Sequence, residues 1–331
     1  MKALAYEQAH SVDKFAIELR EVPDPALRNT DLLIEVRAVS INPGEAFIRG
    51  MRSAPPGGRV ILGWEFSGIV VRAGAATTGF AAGDRVFGTG DISRDGCWAE
   101  LVAVDFRVVG HAPQSHSFTD VASLPIGTLT AWESLFRDED QLPERTDTVL
   151  VIGGAGGVGS MAIQLLKEKT YAQVIATASR VDSQLWCTKM GADLVIDHSA
   201  DVAAQLSAVG IADVDFVMST HATEQNLNWL VNVIRPYGHL AAIDIGRPFD
   251  VSPITARSLT FHSEMVFTKV LSNYEVESIS RILQTTAALV EAEKLRPITG
   301  TVLHGLKSET MKKAHELVGD GKAIGKIVIE Y

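Results

Sequence analysis

Gly154, Gly156 and Gly159 have the G-x-G-x-x-G spacing, and their setting says what chemistry it serves. They lie in Gly153-Gly154-Ala155-Gly156-Gly157-Val158-Gly159, straight after the apolar run Val149-Leu150-Val151-Ile152 and just before an amphipathic stretch over 160–166. A pyrophosphate needs backbone N–H groups at a helix start and no side chain in its way, and glycine permits both the tight turn and the close approach. Such a motif standing alone is often only a turn. Flanked by a strand, a helix and further strand–helix units, it is a dinucleotide site, with Gly154, Gly156, Gly157, Val158 and Gly159 as the expected binding residues.

The end of the next strand selects the dinucleotide. An NAD site places Asp or Glu there, about 20 residues on, to accept the ribose hydroxyls. Here the stretch reads Ala176-Thr177-Ala178-Ser179-Arg180, with no acid at the strand end. Ser179 and Arg180 can donate to a 2′-phosphate, the arginine in bidentate geometry. The competing interpretation of Arg180 is a solvated surface charge, and Asp182 is close enough to oppose the phosphate, although it reads as an early-helix acid. NADPH is the expected cofactor.

The elements around these residues come from two rhythms. Up to about residue 125, short apolar or alternating runs at 17–22, 32–39, 66–71, 85–88 and 98–104 are punctuated by Gly, Pro and Asp, which describes a small β-rich unit. From about residue 147, apolar strands expected at 148–152, 174–178, 194–196, 215–218 and 239–243 alternate with amphipathic helices, the pattern of a doubly wound parallel sheet. A helix near 274–295 and a β-like tail at 325–330 follow, the tail placed to rejoin the first unit. At 331 residues two domains are expected. The net charge of -10 disfavours nucleic acid. No apolar run approaches the roughly 20 residues that span a bilayer. Two cysteines, Cys97 and Cys187, fall in different domains, which argues against a disulfide and for a reducing cytoplasm.

With the glycine turn in place, the rest of the chain resembles the medium-chain dehydrogenase/reductase superfamily, in its quinone-oxidoreductase and "zinc-type alcohol dehydrogenase-like" branch. The resemblance rests on Val39-Ser40-Ile41-Asn42-Pro43, Leu62-Gly63-Trp64-Glu65-Phe66-Ser67-Gly68, Gly83-Asp84-Arg85-Val86, Ala122-Ser123-Leu124-Pro125, Thr130-Ala131-Trp132-Glu133, Gly191-Ala192-Asp193 and Gly325-Lys326-Ile327-Val328, in that order along nearly the whole chain. It implies an α/β protein with a GroES-like catalytic domain over 1–124 and 263–331, a Rossmann domain over 125–262, and an active site in the cleft between them. For the 2′-phosphate it implies Ser179 and Arg180, then Lys189, and His198 where relatives tend to have Tyr. Thr220 and His221, after the fourth strand of the Rossmann sheet, are expected at the cofactor. Phe267 and Thr268 match a segment that in relatives passes the nicotinamide near a subunit interface, and the resemblance implies a homodimer paired through about 261–267.

Metal-dependent members of the superfamily hold zinc with a Cys in the segment matching Ile41-Asn42-Pro43 and a His in a Gly-His-Glu block. This chain has Asn42 and Trp64 there. Asn is a poor zinc ligand and Trp is none, and no His pair has helical ligand spacing, so no metal is expected. The resemblance implies polar roles near nicotinamide and substrate for Asn42, Thr130 and Glu45. Asn42 also reads as a turn residue before Pro43, and Glu45 as a structural acid. Phe47, which stands where some quinone reductases carry Tyr, Trp64 and Phe267 would line an aromatic cleft for flat substrates, or else simply pack the core. The expectation is NADPH-dependent, metal-free reduction of a small quinone or carbonyl compound. The alternatives are a zinc-dependent alcohol dehydrogenase, disfavoured by Asn42 and Trp64, and a non-catalytic NADPH-binding or redox-sensing protein.

Overall fold

Short runs of Val, Ile, Leu and Ala that are apolar at nearly every position can only be strands covered on both faces. Four such runs, Thr148–Ile152, Gln173–Thr177, Leu194–Ile196 and Val214–Ser219, pair in parallel with one another and with two less apolar strands, Ile234–Ala242 and Thr260–Ser263. The computed structural model in which they are seen describes residues 1–137, 140–246 and 248–331. Numbered in chain order, this sheet runs 3-2-1-4-5-6. Its order reverses between Thr148–Ile152 and Val214–Ser219, the point where a doubly wound sheet opens a crevice beyond its strand ends. The helices Gly157–Lys169, Val181–Met190, Val202–Ala208 and Thr223–Val233 make the crossovers. Leu150, Ile175, Val217 and Leu240 lie at the centre of its core, fully buried.

The sixth strand was not among the five core strands expected, although it overlaps the edge strand at about 261–267 that the resemblance implies for pairing two chains. Thr260–Ser263 is exposed at both ends and only half-buried at Phe261 and His262, so its sequence carries no buried-strand signal, yet it pairs with Ile234–Ala242 from His239↔Thr260 to Ala242↔Ser263. The sheet and its helices belong to a unit running over Gly127–Val266.

The other unit comprises Met1–Ile126 and Phe267–Tyr331. Its hub is the eleven-residue strand Asp31–Ile41, antiparallel to Glu65–Ala73, Leu101–Asp105 and the C-terminal Lys326–Glu330. Lys326–Glu330 in turn takes Thr299–His304 in parallel. The helix Glu277–Glu291 buries Ile279, Ile282, Leu283, Thr286 and Val290, a single face at helical spacing. Two registers position the candidate chemistry. Ile327 opposite Ile41 brings Lys326 beside Asn42, and Val39 opposite Phe66 brings Glu65 alongside them. Among the described residues no helix is long and apolar enough to cross a membrane.

Candidate active site

The glycine turn divides its labour by position. An added Cβ on Gly154 would come within 2.8 Å of Ala176 Cβ and 2.9 Å of Cys187 Sγ, and one on Gly159 within 2.3 Å of Gly153 O. These two glycines are buried packing positions that let turn, strand and helix close up. Gly156 is different: a Cβ there would meet only Gly153 O, at 3.5 Å. Gly156, Gly157 and Val158 are half-buried and start the helix Gly157–Lys169, where the first N–H groups have no intrahelical acceptor. An open glycine before a helix start leaves a phosphate both room and donors. Thr220 braces the turn from below, its hydroxyl donating to Ile152 O at 2.7 Å under Gly153.

At the second strand's end, Ser179 is exposed and Arg180 is the residue before the helix Val181–Met190. Its guanidinium Nε lies 3.3 Å from Asp182. His198 is held below its ordinary value by burial, and further by the charges of His221 and Arg180, with Asp197 opposing them. Arg180, His198 and His221 thus form one basic group. Lys189 does not join it. It sits nine residues along the helix from Arg180, about 13 Å by helical rise, with its ammonium 5.5 Å from the Trp186 ring. The helix length, invisible in a motif match, separates the two residues.

In the other unit, Asn42 precedes the helix Pro43–Arg49, and the Glu45 carboxylate turns back to accept the Asn42 N–H at 2.7 Å, the returning half of a capping box. The Asn42 side chain is fully engaged. Its Oδ1 accepts from Lys326 Nζ at 2.5 Å, and its Nδ2 donates to Glu65 at 3.1 Å and Glu45 at 3.5 Å. Glu65, wholly buried, also accepts from Lys326 at 2.7 Å and from the Ile126 N–H at 2.8 Å. Glu45, 1% exposed, accepts the Trp64 N–H at 3.3 Å. Burial pushes its carboxyl up to about 7. Lys326 and the Asn42 N–H restrain the rise, and Glu65 adds to it. With Glu45 protonated, one ammonium balances one carboxylate.

Glu65 and Lys326 escaped the sequence reading, although both stand inside quoted blocks. Their signal was a charge placed in an otherwise apolar strand, which demands a partner.

Trp64 is 2% exposed and packs edge-to-face with Phe267, ring centroids 5.8 Å apart. Phe47, expected beside them, is 56% exposed, and among the described residues no ring packs on it. On this short helix Glu45 and Arg49 face inward, and the residue midway between them points out. Thr268 is exposed at the start of the helix Thr268–Ser272. Thr130, 6% exposed, lies on Pro125–Phe136 in the Rossmann unit.

These donors do not suit zinc. Asn42 Oδ1 already holds an ammonium, and the Trp64 indole has an N–H and no ring lone pair to give. Cys97 is fully buried, and burial holds its thiol well above the ordinary range, so it offers no thiolate. Among the described residues no three His, Cys, Asp or Glu side chains gather as a metal site.

A GroES-like β unit joined to a Rossmann sheet with an open glycine turn defines a class of nicotinamide oxidoreductases. The family model "Alcohol dehydrogenase GroES-like domain" matches residues 28–114, and "Zinc-binding dehydrogenase" matches 190–329. A zinc-type alcohol dehydrogenase-like protein of Staphylococcus aureus (strain MSSA476) is 31% identical over 338 residues, covering 99% of both chains. A 2-methylene-furan-3-one reductase of Solanum lycopersicum is 32% identical over 61% of this chain and 53% of its own. Among solved structures, a Rhizobium etli CFN 42 protein assigned to the zinc-dependent alcohol dehydrogenases superposes with TM-score 0.95 at 35% identity, covering 100% of this chain and 98% of its own. The quinone oxidoreductase of Coxiella burnetii does so with TM-score 0.82 at 26% identity, covering 100% and 99%. The chain belongs to the medium-chain dehydrogenase/reductase superfamily and is an oxidoreductase of that family.

Proposed function

We propose that the chain is an NADPH-dependent reductase of quinones or α,β-unsaturated carbonyls that works without a metal. The observation that carries this reading is the Asn42 amide, bound on one side by the Lys326 ammonium and on the other by Glu65, at a position that would have to offer a free ligand to zinc. The basic group of Arg180, His198 and His221, with no acid at the end of Gln173–Thr177, favours a 2′-phosphate. The names of the tomato and Coxiella relatives agree with enone and quinone substrates.

Bound NADPH supplies the hydride. The open Gly156 and the following N–H groups receive its pyrophosphate, and Ser179, Arg180 and His198 receive the 2′-phosphate. Trp64 and Phe267 give a flat substrate an apolar wall, and Asn42 acts by fixing Glu65 and Lys326 rather than by touching substrate. In this reading the two segments of the β-rich unit are the catalytic domain. Two chains associate through the edge strand Thr260–Ser263, and both cysteines, buried and free, stay reduced in the cytoplasm.

The test follows NADPH absorbance with 1,4-naphthoquinone, cyclohex-2-enone and ethanol, with and without a chelator. Chelator-resistant reduction of the first two is expected. Activity restored only by zinc would overturn the proposal, and NADPH binding without reduction of any electrophile would replace it by a binding or sensing role. Arg180→Ala should weaken NADPH at least 10-fold more than NADH, on the order of 1.4 kcal/mol of lost charge-assisted bonding.

A further inference from the structure

A reduction without a metal still needs something to receive the charge that develops on the substrate oxygen, and the usual protein answer is a preorganised, water-excluded hydrogen-bond donor. Asn42 and Lys326 are already committed to other buried groups. Asn42 has both amide protons engaged, and Lys326 is held between Asn42 and Glu65.

One donor beside them is different. Trp64 Nε1 is sealed from solvent and has no hydrogen-bond partner among the described residues. A buried N–H left without an acceptor costs roughly 1–3 kcal/mol, and indole nitrogen can only donate. Its setting matches an anionic or strongly polarised oxygen. The Arg52 guanidinium stands 5.8 Å from the indole centroid and the Phe267 ring packs against the indole edge-to-face. Arg52 is half-buried, and its guanidinium donates to Ile92 O at 2.9 Å. Gly90 packs against the pyrrole edge, where only a glycine fits: a Cβ there would come within 2.9 Å of Trp64 Cδ1, the atom next to Nε1. The Trp64 backbone is tied through its own N–H to Glu45, so the buried polar cluster fixes where the indole points.

We infer that Trp64 Nε1–H is the electrophilic donor of this site, binding the carbonyl oxygen of the quinone or enone with Arg52 as the neighbouring positive charge. This rests on the proposed reductase reading. As the hydride forms the new C–H bond, the carbonyl π pair moves onto oxygen. That oxygen accepts the Trp64 hydrogen bond more strongly as its charge grows, then takes a proton from water. NADPH is the reductant and the quinone or enone the oxidant.

Trp64→Phe keeps an aromatic ring against Phe267 and removes only the donor. Its kcat with 1,4-naphthoquinone should fall about 100-fold, the size seen when one oxyanion donor is lost, while its NADPH dissociation constant stays unchanged. A kcat within about threefold of wild type would overturn the inference. A second measurement is independent of how the variant folds. In ¹⁵N–¹H spectra of the wild-type protein without NADPH, titration with 1,4-naphthoquinone should move one indole resonance downfield, the one missing from the Trp64→Phe spectrum or, if that variant is unfolded, the one lost in Trp64→Tyr. An indole set that does not respond overturns the inference. Wild-type protein whose Trp64 resonance moves but which never oxidises NADPH would uphold the oxygen site and overturn the reductase reading instead.

Discussion

Lys326 is the cation that holds the buried cluster together, its ammonium 2.7 Å from Glu65 and bound to the Asn42 amide oxygen. The block Gly325-Lys326-Ile327-Val328 is visible as a landmark, but the lysine's meaning depends on Asn42 and Glu65, 284 and 261 positions away, which only strand register brings together. Asn42 was legible as a turn residue or a direct participant, and it is neither alone. It caps a helix while bridging a cation and a carboxylate. Because the Lys326 and Glu65 side chains are 5% and 0% exposed, removing one partner leaves an uncompensated charge in the interior. Lys326→Met should therefore destabilise the protein by about 3–5 kcal/mol, and adding Glu65→Gln should recover much of that loss. Urea unfolding of both variants checks this. A single variant as stable as wild type would show that water already reaches the pair.

The glycine turn was the most legible element, because its spacing, the strand before it and the helix after it are all local. What the sequence could not assign is which glycine does which job, since that depends on neighbours from other strands and helices. Gly154 and Gly159 have atoms within 3 Å of an added Cβ, and Gly156 has none. Gly154→Ala and Gly159→Ala should lower the melting temperature, by several degrees for a penalty of roughly 1–3 kcal/mol. Gly156→Ala should fold as wild type and lose NADPH affinity at least 10-fold, because its methyl enters the space a pyrophosphate needs. Equal losses of stability at all three positions would refute this division. Elements whose meaning depended on distance read less well. Lys189 was grouped with Arg180 by motif and separated by the length of a helix, and Thr260–Ser263 joined the sheet without the continuous apolar run that marks the strands at its centre.

For the whole molecule, two buried groups with opposite pKa shifts shape stability against pH. Glu45 goes up to about 7 from an ordinary 4.5. His315, 2% exposed, takes a hydrogen bond from Arg49 on Nδ1 at 2.6 Å, and burial, Arg49 and His10 push it down to about 3 from 6.5. Glu45 keeps its proton in the native state where the unfolded chain has lost it, so its contribution is complete below 4.5 and fades as pH rises to about 7. His315 refuses a proton that the unfolded chain accepts, so its contribution is complete above 6.5 and fades as pH falls toward 3. Between 4.5 and 6.5 the two slopes, each about 1.4 kcal/mol per pH unit, oppose one another. Relative to wild type, His315→Gln should therefore lose about 2 kcal/mol of stability on going from about pH 5 to about pH 6.5, and Glu45→Gln should gain about 2 kcal/mol over the same interval. Denaturant midpoints at the two pH values measure both tilts. Profiles parallel to wild type for either variant would mean that the side chain titrates in the native protein as it does in the unfolded one, and that water reaches it. For Glu45 that would also remove the buried proton from beside Trp64 while leaving the carboxylate's hydrogen bonds to the Asn42 and Trp64 backbone intact.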